Sequence, residues 1–231
     1  MSETYRHLGR WFLGVLSVNW ALAAQGQAVR APASPPELSG VYQVIENAAR
    51  LPGGRKNEGG PTGISLVPAA ANRAKSVNLK DDPAKMCQPI GPFRMMAREQ
   101  NKIEIVPAIG MIVILFEDIS HGLARAVYTN RVHPKDVELT WMGDSVGRWE
   151  GDTLIVDTVG FNDSTWLNDN GAPHSDALHL VERIRPILKG QYLEYVVTAD
   201  DPKVLAKPYS YTRYYEKLKT EIMEDVCEDE E

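Results

Sequence analysis

The chain of 231 residues has only two cysteines, Cys87 and Cys227, and they are far apart. With no CxxC pair, a thioredoxin-like redox motif and a zinc ribbon are both excluded. It has no uninterrupted run of about 20 apolar residues, so no segment reads as a membrane-spanning helix. Phosphate-cradling glycine loops and dinucleotide fingerprints are absent, which leaves no organic cofactor to expect. Basic charge is not in excess either: 25 Lys+Arg face 31 Asp+Glu. Nucleic acid is therefore not an expected partner. Helical periodicity is scarce, and 18 Gly and 15 Pro punctuate the chain, which argues against a long-helix bundle. What remains, at 43% hydrophobic and 24% charged, has the composition of an ordinary globular protein. Even the acidity is local. Glu224 to Glu231 hold six acids and no base, so the rest of the chain is balanced.

The other end carries the opposite signal. Arg6 and Arg10 precede the apolar stretch WFLGVLSVNWALAA at 11–24, and small residues follow at Ala21, Ala23, Ala24 and Ala28. This is the pattern of a secretory signal peptide, cleaved after Ala23 or Ala28 and too short to span a bilayer. Residues 1–28 are thus expected to be a signal peptide and 29–37, with three prolines, a flexible lead-in. Residues 38–231 form a single β-barrel domain with an acidic C-terminal tail. Export to the periplasm or beyond places the two cysteines in an oxidising compartment. There a Cys87–Cys227 disulfide is the simplest reading, and two unrelated thiols the alternative.

From residue 38 onward the pattern is mostly period two, broken by turn residues. Segments 38–45, 102–106, 111–117, 123–129, 145–149, 153–161, 176–185, 191–198, 209–216 and 221–227 read as up to ten short strands. Gly151-Asp152 between two alternating runs marks a hairpin. Residues 48–85 are poor in large apolar side chains and read as an irregular excursion, with a short helix near Pro68–Ser76. Residues 132–143 read as a loop leading into the next strand. The expected fold is all-β: an antiparallel meander closing into a barrel or a strongly curved sandwich, with long loops.

Two acids sit among apolar neighbours on their own strand faces. Asp157 lies with Ile155, Val159 and Phe161, and Glu182 with Leu178, Leu180 and Ile184. Each is either hydrogen-bonded structure or a carboxylate tuned for proton transfer. Histidine is the natural proton carrier near neutral pH. His133 and His174 flank prolines in loops, and His174 paired with His133 or Asp163 is the easiest site to assemble. His179 points to the other face of an extended 174–179 segment, so a three-histidine metal site needs a bend near Ser175, and no metal is assigned. The plain alternative is that His133 and His174 hydrogen-bond loop backbones. Gly143-Asp-Ser145-Val-Gly147 has the letters of a nucleophile elbow, but at the entry to a hairpin rather than a strand-to-helix turn. The oxygen-rich loop 162–176 lacks calcium-loop spacing, and Asn-Gly turn chemistry accounts for it. Trp141, Trp149 and Trp166 bracket this loop and, with Asp176 and Tyr211, are candidate ligand contacts. Tyr209, Tyr211, Arg213 and Tyr215 alternate on one strand, facing either a cavity or solvent.

The stretch from Trp141 to Ser175 resembles a family of uncharacterised exported bacterial proteins with the signature WMGxSxGxWEGDTLxVDTxGFND, then WL and GxPHS. It matches through Trp141 to Gly143, Ser145, Gly147, Trp149 to Leu154, Val156 to Thr158, Gly160 to Asp163, Trp166, Leu167, Gly171 and Pro173 to Ser175. Flanking matches are Cys87, Arg94-Met95-Met96, His133-Pro134 and Val226 to Glu228. The resemblance implies export and a β-rich, calycin- or lipocalin-like barrel, and transfers no reaction. The functional expectation is an exported barrel enzyme doing cofactor-independent acid–base chemistry of isomerase, lyase or hydrolase type. Its substrate would be a small apolar or aromatic molecule. His174 and His133 would carry protons and Asp157, Asp163 or Glu182 would orient them. The alternative is a non-catalytic periplasmic binding protein of the same fold. No stable membrane insertion is expected.

Overall fold

The computed structural model describes residues 36–45, 51–57, 60–99, 102–117 and 124–223. Nine strands are described: β1 (Gly40–Val44), β2 (Lys102–Ala108), β3 (Met111–Phe116), β4 (Ala124–Tyr128), β5 (Asp144–Glu150), β6 (Thr153–Val159), β7 (His179–Ile187), β8 (Tyr192–Asp200) and β9 (Tyr209–Leu218). They close in chain order into one barrel, with β9 pairing back onto β1. The closed barrel settles the choice against an open sandwich. The expected tenth strand is corrected: 221–223 are not extended into the sheet, and 224–227 lie outside the described residues.

An odd count has a geometric consequence. Strands that alternate direction around a closed ring must fail to alternate once, so one neighbouring pair has to be parallel. That pair is β4–β5, in register at Val127–Ser145 and Tyr128–Val146, and every other pair is antiparallel. The purely antiparallel expectation is corrected here. A parallel step needs a crossover connection, and residues 129–143 supply it. The loop is laid against the end of β6 by hydrogen bonds from Thr140 N–H to Gly160 O (3.0 Å) and from Asn162 N–H to Thr140 O (2.8 Å). Gly160 makes this contact possible. Its φ is +77°, and a Cβ there would stand 2.1 Å from Val137 Cγ1.

Alternation sends Ile103, Ile105, Ile112, Ile114, Leu154, Val156, Leu180, Ile184, Leu193 and Val197 into the barrel, all buried. Among the described residues these side chains form one packed apolar core. Its middle is polar. Arg125 of β4 meets Glu182 of β7, with Arg125 Nη1 donating to Glu182 Oε1 at 2.8 Å and Nη2 donating to Oε2. Ser145, Thr158 and Tyr195 complete the network: Arg125 donates to Ser145 Oγ (3.0 Å) and Thr158 Oγ1 (2.7 Å), and Tyr195 donates to Glu182 (2.9 Å).

The irregular excursion contains helix α1 (Pro68–Ser76), where expected, and a second short helix, α2 (Pro92–Met95), follows it. Residues 90–97 are buried throughout, so this segment plugs the barrel. Three alternate side chains of β9 moor it. Tyr211 donates to Phe93 O (2.5 Å), Arg213 Nη2 to Ala97 O (3.0 Å) and Tyr215 to Met96 O. Orphan carbonyls at a helix end need such donors. The alternating face of β9 thus looks inward, as one expectation had it, but holds the protein's own plug.

Candidate functional site

On the outer wall, β5, β6 and β7 bring a row of titratable groups into line. In register, Asp157 stands opposite Val146 on one side and Val181 on the other. Asp144 and His179 are each two residues along from those partners, so all three share the outward face as diagonal neighbours. The crossover loop then lowers His133 between Asp144 and Asp157. His133 Nδ1 lies 2.6 Å from Asp144 Oδ1, and its Nε2 lies 3.0 Å from Asp157 Oδ1. The second oxygen of Asp157 lies 3.0 Å from His179 Nε2.

The groups are accessible in graded fashion: 25% of the His133 side chain is exposed, 32% of Asp157 and 42% of His179. At the buried end, Arg131 pairs with both oxygens of Asp144, and its guanidinium stacks 3.9 Å from the Tyr128 ring centre. Burial would raise the Asp144 pKa, but hydrogen bonds from Arg131 and His133 outweigh it and hold the carboxyl below its usual range. Asp144 is thus a fixed negative charge. Both ring nitrogens of His133 face carboxylate oxygens. Asp157 in turn has an imidazole nitrogen at each of its two oxygens, His133 on one and His179 on the other.

The remaining expected site residues fall elsewhere. His174 is buried behind Phe161 with a 6.1 Å edge-to-face contact, its Nδ1 3.1 Å from Ser175 O and its Nε2 hydrogen-bonded to the Thr165 hydroxyl. Burial lowers its pKa, opposed by the Ser175 carbonyl, Asp201 and Asp163. Both nitrogens serve the loop, so the plain alternative describes His174 and it does not join His133. Residues 174–178 turn rather than extend, which supplies the bend near Ser175, yet His174 goes inward while His179 faces out. Asp163 is on an exposed stretch after β6 and Glu182 is locked to Arg125 inside the barrel. Asp176 is exposed and pairs with Lys203 at 2.5 Å. Tyr211 moors the plug.

The three expected tryptophans have separate surroundings among the described residues. Trp149 packs against the core, Trp166 forms a backbone bridge with Pro173, and the Trp141 carbonyl lies beside Gly91. Ser145 points inward onto Arg125, so the nucleophile-elbow letters carry no nucleophile. In the 162–176 loop, Asn168 Oδ1 accepts from the N–H groups of Asn170 (3.1 Å) and Ala172 (3.0 Å), as turn chemistry requires. Cys87 is not a free thiol, and Cys227 lies outside the described residues, as do His121 and the whole signal segment. Among the described residues no group of three or more His, Cys, Asp or Glu is arranged to hold a metal ion, and no helix is long and apolar enough to cross a membrane.

Asp144, Arg131 and His179 were not among the residues expected to act. The period-two pattern did place Asp157 and His179 on definite strand faces. Only the register across the long 160–178 connection brings those faces together. No family model matches the chain, and no curated protein sequence matches it.

Proposed function

We propose that the protein is an exported barrel enzyme whose acid–base site is the outer-wall row Asp144–His133–Asp157–His179. The observation that carries this reading is that Asp157 holds two imidazole Nε2 atoms, one on each oxygen and each at 3.0 Å, on a solvent-facing wall. His179 is the proton carrier that meets substrate. Asp157 fixes its tautomer and stabilises the imidazolium formed when Nδ1 takes a proton. His133, held against Asp144 by one ring nitrogen, keeps Asp157 in place with the other. Val146, Val159 and Val181 share the outward face, and Val132 is exposed beside His133. Such a surround suits a small apolar or aromatic substrate undergoing isomerisation, elimination or hydrolysis. The basic start, apolar stretch and small residues of 1–28 support export.

The test is untargeted mass spectrometry of a metabolite extract incubated with the purified protein, beside Asp157→Asn and His179→Gln. A substrate–product pair should appear whose conversion falls at least about 10²-fold in both variants, the usual weight of general acid–base catalysis. Conversion at the same rate in all three proteins, or in none, removes this reading and leaves the non-catalytic binding protein.

A further inference from the structure

A second site lies beside the plug, away from the histidine row. A cleft of about 410 Å³ is lined by Gly60 to Thr62 on one side, Arg94 and Ala97 to Glu99 on the plug, Asn168 and Asp169 on the loop before β7, and Arg213 of β9. The volume is within the range of small-molecule pockets. Three of its lining residues are arginines, in a chain whose body has no excess of basic charge.

Two of these arginines are buried, and their pairing is uneven. Arg94 is gripped from behind by Asp82, with Nη1 donating to Oδ1 at 2.8 Å and Nη2 to Oδ2 at 2.6 Å. Its other edge meets Asp169, whose side chain is 79% exposed. Arg213 is only 5% exposed. It donates Nη2 to Ala97 O, and its Nη1 reaches Glu99, 45% exposed, at a long 3.3 Å. Its Nε is buried with no hydrogen-bond partner among the described residues. A buried guanidinium with an unmet donor is costly, because the group has given up water without a replacement. Gly60 keeps the approach open, since a Cβ there would stand 3.1 Å from Arg213 Nη2.

We infer that this cleft binds the carboxylate or phosphate group of a small organic anion. Arg213 supplies the unmet Nε edge, and the edge of Arg94 now facing Asp169 supplies the second fork. Planar oxyanions match a guanidinium with two parallel hydrogen bonds. Glu99 and Asp169 are the protein's own weak occupants of those positions. Both are on exposed side chains that lose little on turning out to water, so a ligand oxyanion displaces them.

The experiment is calorimetric titration of the purified protein with sodium phosphate and, separately, sodium succinate at constant ionic strength. The same titrations are run on Glu99→Gln, Asp169→Asn and Arg213→Lys, with circular dichroism to check folding. One anion should bind at one site per chain. Removing a competing carboxylate in Glu99→Gln or Asp169→Asn should tighten binding several-fold, and Arg213→Lys, which keeps the charge but loses the Nε edge, should weaken it about tenfold. Comparing phosphate with succinate identifies the headgroup. If Arg213→Lys does not fold, the two exposed-carboxylate variants decide. Affinity unchanged in both of them, or no binding of either anion to any of the proteins, overturns the proposal.

Discussion

Arg125 and Glu182 face each other across the closed interior of the barrel, with 1% and 0% of their side chains exposed. Burial works against the charge on Arg125, and Glu182 overrides it, so the guanidinium pKa is raised. Ser145, Thr158 and Tyr195 take up further hydrogen-bonding positions, which is the condition for a buried pair to be tolerated. Removing one partner leaves an uncompensated charge in the core. Arg125→Met or Glu182→Leu alone should therefore cost about 3–5 kcal/mol. The double change Arg125→Met/Glu182→Leu should recover a large part of that loss. Guanidinium denaturation of the four proteins measures the cycle, and additive losses would show that the two residues do not form the coupled pair described.

His174 predicts a specific pH response. Its folded pKa is lowered by burial, so below about 6.5 the unfolded chain takes up a proton that the folded chain refuses. Proton uptake by the unfolded state makes stability fall as pH falls, by up to about 1.4 kcal/mol per unit, from pH 6.5 down to the folded pKa. The slope belongs to a window above the carboxylate range, where Asp82, Asp144 and Glu117, all with lowered pKa values, add their own losses. Denaturation curves between pH 5 and 7 should show the slope in the parent chain and a flatter one in His174→Gln. Equal slopes would place the proton uptake elsewhere.

Features set by local sequence are legible in this chain, and those set by distant pairing are not. Helix α1 begins at Pro68 because proline is suited to a first helical turn and a run of alanines follows. Eight of the nine strands start within a residue or two of their alternating segments; β7 starts three residues in, because 174–178 turn. The plug is not legible because IGPFRMMA at 90–97 is buried throughout, its one charged residue Arg94 included, so no exposed polar face marks a period. Arg125 was missed for a different reason: its partner is 57 residues away, and nothing in ARAVY says whether an inward arginine has an acid to meet. The same limit applies to the outer site. Asp157 and His133 were legible as chemistry-bearing residues, but their union with Asp144 and His179 comes from sheet register and from a crossover that only an odd-stranded barrel requires.

Gly160 tests that crossover directly. Alanine there meets Val137 Cγ1 at 2.1 Å and must also adopt φ +77°. The left-handed conformation alone costs roughly 1–2 kcal/mol in a non-glycine residue, and the overlap adds to it. Gly160→Ala should therefore destabilise by about 2 kcal/mol or more. Val137→Ala in the same chain should return the overlap component and leave the conformational one. Failure of the second change to restore any stability would mean that the loop does not lie against β6 as described.

The sequence expects a Cys87–Cys227 disulfide between the turn before the plug and the chain beyond β9. Cys87 caps a short 3₁₀ turn (Pro83–Met86) in a left-handed conformation, φ 53°, a few residues before the plug. Beyond β9 the chain runs past β3, where Met223 N–H donates to Glu117 Oε1 at 3.1 Å. A bridge from there to Cys87 closes a loop of well over 100 residues, so in the chain-entropy view it contributes up to about 5 kcal/mol by restricting the unfolded chain. Serine at position 87 keeps the size and the backbone preference nearly unchanged, so Cys87→Ser reports the bond rather than the local turn. Cys87→Ser, Cys227→Ser and the double variant should all lose the same stability, and dithiothreitol should lower the melting temperature of the parent chain alone. Losses that differ between the two single variants, or a parent chain indifferent to reductant, would separate the cysteines and leave the plug held by its β9 donors and by Arg94–Asp82.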